Sequence, residues 1–186
     1  MQKYIYTVIL LMTIISAAHA QRMLPGQKGM EINTGTLSSR QFRHNYYFNA
    51  GFSIMKKEGN YVLMALEYTR ERSIYKAKQI PLETYTAEAG YSLRLFSDAR
   101  KWMNLNLALT AVAGYERINK GDSVLFDGSQ INTKGGLVYG AGGRLSLETY
   151  LSDRLVLLTQ GNAKLLWNTS RDQVRPSAGI GLRFNF

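Results

Sequence analysis

A chain of 186 residues without cysteine and with only two histidines excludes structural disulfides, thiolate metal sites, cysteine nucleophiles and multi-histidine zinc centres together. Its formal charge of +10 points to acidic partners, either lipid phosphate or nucleic acid. The slightly negative mean hydropathy leaves room for membrane strands, whose polar half conceals the apolar half in any average.

The first twenty residues carry the marks of a secretory signal: Lys3, an apolar run from Tyr4 to Ile15, and small residues up to Ala18-His19-Ala20. That run is shorter than the ~20 residues of a spanning helix, so cleavage before Gln21 is expected. No later stretch is long and apolar enough to cross as a helix. Residues 1–20 are thus read as a signal peptide, 21–28 (QRMLPGQK) as an irregular lead around Pro25-Gly26, and 29–186 as one domain without repeats or linkers.

From residue 29 onward the chain alternates apolar and polar residues in segments of strand length. Strand one, about 29–36, places Met30, Ile32 and Thr34 on one face. Strand two, 46–55, sets Tyr46, Phe48, Ala50, Phe52 and Ile54 against Tyr47, Asn49, Gly51 and Ser53, and residues 56–60 make a polar turn. Strand three, about 61–70, alternates Val62, Met64, Leu66 and Tyr68 with Ala65, Glu67 and Thr69. A longer basic connection, 70–81, is expected next. Strand four, 82–96, and strand five, 103–116, keep register longest, with Tyr85 to Leu95 and Met103 to Tyr115 as their apolar rows.

After the longest connection, 119–134, strand six spans 136–151 and strand seven 155–167. The seventh is the least regular, because Val156 and Leu158 break its polar parity. Strand eight, 174–186, sets Val174, Ala178, Ile180, Leu182, Phe184 and Phe186 against Arg175, Ser177, Gly179, Gly181, Arg183 and Asn185. An even strand count makes it the partner of strand one and removes both sheet edges.

The expected architecture is an eight-stranded antiparallel up-and-down transmembrane β-barrel of the outer-membrane type. Connections after strands two, four and six are short and those after one, three and five long, which places both termini on the periplasmic side. Alternation alone would also suit a soluble lipocalin-like barrel. Three features favour lipid outside: small residues among the charges of the polar rows, aromatic residues at the ends of the apolar rows (Tyr46, Tyr68, Tyr85, Tyr115, Trp167, Phe186), and the export signal.

With lipid outside, Glu67, Glu88, Arg94, Glu116, Arg144, Glu148, Lys164 and Arg183 fall in the lumen. Eight strands leave room for side chains and none for an open aqueous channel, so these charges are read as a structural network. They are expected to pair across neighbouring strands, Arg183 with acids such as Glu148 or Glu67.

Catalytic chemistry finds little support. A serine triad would need His44 as base with Ser38 or Ser39, and no nucleophile motif surrounds those serines. Gly140-Ala141-Gly142-Gly143 lies inside an alternating strand and lacks phosphate-loop spacing. The residues therefore point to no enzyme, no cofactor and no metal. Basic residues gather in the expected outer connections (Arg40, Arg43, Arg70, Arg72, Lys76, Lys78, Arg171), where outer-membrane lipid headgroups fit better than nucleic acid, since Tyr75 alone is poor support for aromatic stacking.

The stretch from Ala20 to Ile32, containing R-M-L-P-G-Q-K-G directly after the signal, resembles the start of the TraO conjugal-transfer proteins of Bacteroidetes conjugative transposons. The chain length, Tyr46-Tyr47-Phe48 and the terminal Arg183-Phe184-Asn185-Phe186 suit that resemblance. It implies an outer-membrane accessory of the mating apparatus that helps assemble or anchor it, with other conjugation proteins as partners. Arg22, Met23, Leu24, Pro25 and Lys28 would then form a periplasmic docking segment, and Phe184 and Phe186 resemble the insertion signal of outer-membrane barrels. Two other readings stand beside it: a free-standing adhesin or envelope-stability barrel, and an outer-membrane lipid-modifying enzyme.

Overall fold

The structure, a computed structural model, describes residues 24–37, 45–75, 78–100, 102–119, 135–170 and 172–186. The signal segment, Arg22, Met23 and His44 lie outside the described residues. Eight antiparallel strands form a closed barrel in chain order: β1 Lys28–Leu37, β2 Tyr46–Met55, β3 Tyr61–Tyr75, β4 Lys78–Ser97, β5 Met103–Ile118, β6 Leu137–Tyr150, β7 Leu155–Trp167 and β8 Val174–Asn185. β1 closes on β8 with Gly29 opposite Asn185 and Thr36 opposite Ala178, so both edges are paired. Among the described residues no helix is long and apolar enough to cross a membrane.

The barrel is inverted relative to a soluble one. Leu66, Leu109 and Leu137 point outward at 68%, 67% and 72% exposure, whereas Glu31, Glu148, Arg183 and Asn185 point inward and are at most 3% exposed. Water on the outside would leave that apolar band unsatisfied, and hydrocarbon satisfies it. Aromatic rings border the band. Tyr46, Tyr68 and Tyr85 stack at one end, with centroids 6.4 and 5.1 Å apart, and Tyr139 meets Trp167 at 6.0 Å; Phe52 meets Phe186 at the other end at 6.5 Å.

Both described termini share one end of the barrel with the turns after β2, β4 and β6. Lys28 and Phe186 exchange backbone hydrogen bonds of 3.1 and 2.8 Å there, and the lead is tied to β2 through Gly26 N–H to Met55 O and Met55 N–H to Gln27 O. We call this the termini end and its opposite the loop end.

Two expectations change. The basic connection at 70–81 is strand: β3 and β4 stay paired from Arg70–Glu83 to Tyr75–Lys78, leaving only residues 76–77 between them. The long–short alternation of connections therefore fails after β3. Alternation is enforced only where one face meets lipid, and beyond the tyrosine row both faces are wet, so this ribbon reads as a loop. Secondly, β4 carries an irregularity between Arg94 and Phe96 that turns both Leu95 and Phe96 outward. Val156 and Leu158, apolar residues on the polar parity of β7, face inward with the rest of that row and cluster with Tyr150; Met55, Tyr61, Leu63 and Ala108 form a second buried group.

Candidate functional site

Among the described residues the lumen gathers the buried ionisable side chains, which pair at several heights along it. Every second residue of each strand faces the axis. At the termini end Arg183 of β8, fully buried, pairs with Glu148 of β6, lies 4.0 Å from Glu31 and sits with its guanidinium carbon 4.9 Å from the Tyr61 ring centroid. Tyr61 donates its hydroxyl hydrogen to Glu148 at 2.9 Å, and Tyr150 donates to the other oxygen at 3.5 Å.

At mid-height Arg144 of β6 reaches Glu31 of β1 at 2.7 Å and Glu88 of β4 at 3.9 Å. Asn33 donates to Glu31 and to Asn49, both at 3.2 Å, and Gln160 donates to Asn33 at 3.0 Å. Lys164 of β7 joins Glu67 of β3 at 2.6 Å and also pairs with Glu88. At the loop end Arg175 of β8 holds Glu116 of β5 at 2.8 Å and Glu71 of β3 at 3.5 Å. There the connection after β7 folds in over the lumen: Thr169 donates to Glu116 at 2.8 Å and the Ser170 N–H at 2.9 Å.

These pairs cross the lumen. Arg144–Glu31, Lys164–Glu67 and Arg175–Glu116 join strands that are three or four apart around the barrel, where pairing between neighbouring strands was expected. An eight-stranded barrel is narrow enough for Arg, Lys and Glu to meet near its axis, and at one height neighbouring inward residues run side by side. Three of the four cations come from β7 and β8 or their loop-end rim and the fourth from β6, while the acids come mainly from β1, β3, β4 and β5. The salt bridges thus cross-link the two halves of the chain. What remains open near Tyr47, Glu67, Thr86, Lys164 and Arg175 is a cavity of about 20 Å³, room for one water.

Of the charges expected in the lumen, Glu67, Glu88, Glu116, Arg144, Glu148, Lys164 and Arg183 face it, and Arg183 meets Glu148 while Glu67 goes to Lys164. Arg94 does not join them. It sits at the termini end, its N–H bonded to Asn60 Oδ1 at 2.9 Å and its guanidinium against Gly59, a residue at φ +75°. The irregularity beside it ends the inward row of β4 there. Glu31, Glu71 and Arg175 were missed. Glu31 lies between the outward Met30 and Ile32, so parity alone could have found it; Glu71 lies in the ribbon taken for a loop.

The remaining residues of interest lie elsewhere. Phe184 and Phe186 face outward at the termini end, and Leu24 is exposed in the lead beside Pro25, with Lys28 opening β1. Among the described residues no group of three or more His, Asp or Glu is placed to hold a metal ion. Gly140 and Gly142 lie within β6, as strand residues.

An apolar exterior between aromatic rows, with a closed and ion-paired interior, defines a small β-barrel of the outer-membrane type. Three solved barrels share this fold: Ail of Yersinia pestis (TM-score 0.58, 13% identity, 88% of this chain and 100% of that one), Neisserial surface protein A (0.60, 14%, 87% and 97%) and the N-terminal barrel domain of Pseudomonas aeruginosa OprF (0.50, 12%, 87% and 98%). At such identities the likeness speaks for fold alone. No curated protein sequence matches the chain. Residues 24–186 match the family described as conjugative transposon protein TraO, and the chain belongs to that family.

Proposed function

We propose that this protein is a non-enzymatic outer-membrane component of a conjugative transfer apparatus, which it anchors or helps assemble. Membership of the TraO family carries the reading, since it implies work within a transfer apparatus alongside other proteins. The filled lumen supports an anchoring role over a conduit: salt bridges cross it at three heights, so DNA takes another route. Both termini face the periplasm in this reading. Residues 21–28, Arg22, Met23, Leu24, Pro25 and Lys28 among them, then serve as a docking segment for a periplasmic partner, its described part being tied to β2 and β8, and Phe184 and Phe186 serve insertion. Deleting the gene from a donor strain should lower mating frequency sharply, and unchanged frequency overturns the proposal.

A second reading has one observation in its favour. The β3–β4 ribbon continues past the tyrosine row, as an element reaching outward from a surface barrel would, and Ail is by name an attachment invasion locus protein. As an adhesin, this protein would show an adhesion defect on deletion with transfer intact.

A further inference from the structure

The outer face of β2–β5 at the loop end carries an ordered pair of rows. Phe48, Tyr68, Tyr85 and Tyr115 lie side by side on the four strands. Two residues further along each strand stands a second outward row, Tyr46, Arg70, Glu83 and Arg117. Arg70 and Arg117 stand two strand spacings apart, roughly 10 Å, and Arg72 follows Arg70 on the same face. Glu83 lies between them with its carboxylate engaged by the Tyr68 hydroxyl at 3.1 Å, and Arg70 hydrogen-bonds Tyr46.

Height and charge together select an occupant. Aromatic rows of membrane barrels lie at the headgroup level, so guanidinium groups about 6–7 Å further along the strands reach the phosphate layer. Three arginines against one carboxylate leave this face cationic. Below the tyrosines the same strands present Ala87 and Ala89 opposite Ala113 and Ala111, a shallow apolar groove walled on the β3 side by Met64 and Leu66. A phosphate at the arginines and acyl chains in the groove suit one kind of molecule.

We infer that Arg70 and Arg117 form a docking site for the headgroup phosphate of an anionic membrane lipid, whose acyl chains lie along the alanine groove. The site rests on the membrane-barrel reading above. Each guanidinium donates to phosphate oxygens, Arg72 adds charge, and Glu83 limits the affinity and positions Tyr68 at the glycerol level.

The test is native mass spectrometry of the folded full-length protein in detergent with equal phosphatidylglycerol and phosphatidylethanolamine. The wild type should retain phosphatidylglycerol preferentially. Arg70→Gln and Arg117→Gln should each lower that preference about fivefold, the equivalent of about 1 kcal/mol per arginine at a membrane surface, and Glu83→Gln should raise it. Equal retention of the two lipids by wild type, or an unchanged preference in Arg70→Gln/Arg117→Gln, overturns the site. So does displacement of the lipid by inorganic phosphate at equal concentration, which would mark a free-phosphate site. Gel mobility before and after boiling, run on each variant, separates the two failures: loss of the shift in wild type strikes the barrel, and a retained shift without lipid preference strikes only the site.

Discussion

Replacing Arg144 by Met tests the cross-lumen network at its centre. Arg144 is 5% exposed and Glu31 3%, with 2.7 Å between Nη1 and Oε1. At that distance and an effective dielectric of about 20, the gross attraction is about 6 kcal/mol. Most of it offsets desolvation, and the measurable loss is the burial of an unpaired carboxylate, typically about 3–5 kcal/mol. Asn33 still donates to Glu31, Arg183 stays 4.0 Å away, and Lys164 still holds Glu88, so the lower value applies, about 3 kcal/mol. Reversible urea unfolding in lipid vesicles, followed by tryptophan fluorescence and by the heat-modifiable gel shift, measures it. Arg144→Met/Glu31→Met should recover most of the loss, because removing both members of a buried pair is near neutral. A single variant as stable as wild type, or a double variant no better than the single, would refute the argument that this pair is coupled across the lumen.

Two further outcomes follow from the same geometry. At the β1–β8 seam Gly179 faces Gly35, and a Cβ on Gly179 would stand 2.3 Å from the Tyr47 hydroxyl and 2.4 Å from the Thr34 carbonyl; Gly179→Leu should cost about 3 kcal/mol through overpacking or block closure, seen as loss of the gel shift. In planar bilayers the wild-type barrel should show no conductance steps above the lipid baseline, and stable steps would show that the lumen opens.

The arrangement of strands was legible because hydrocarbon makes a simple demand. Outside must be apolar and every backbone group must be paired, so a period of two runs openly through β2, β4, β5 and β8. β2 and β7 keep the boundaries read from their residues, 46–55 and 155–167. Where the demand lapses, legibility lapses too. Past the tyrosine row both faces of the β3–β4 ribbon are wet and its strand character vanishes from the pattern. Val156 and Leu158 look like faults in β7 because apolar side chains are also welcome inside when a plug is needed.

The residues by themselves determined which side chains face inward wherever a strand keeps its pairing regular, because parity is local; the irregularity of β4 at Arg94 to Phe96 is where that failed. They also carried the family likeness in the run from Arg22 to Gly29, which no feature of a barrel could supply. Who meets whom in the lumen was decided only by closure. Parity says that Arg144, Lys164, Arg175 and Arg183 point to the axis; only the barrel's width and the stagger of its strands bring them to Glu31, Glu67, Glu116 and Glu148. Pairing between strands likewise sets Arg70 and Arg117 in one outer row, although 47 positions of chain separate their numbers, since the registers of β3 on β4 and β4 on β5 align them through Glu83.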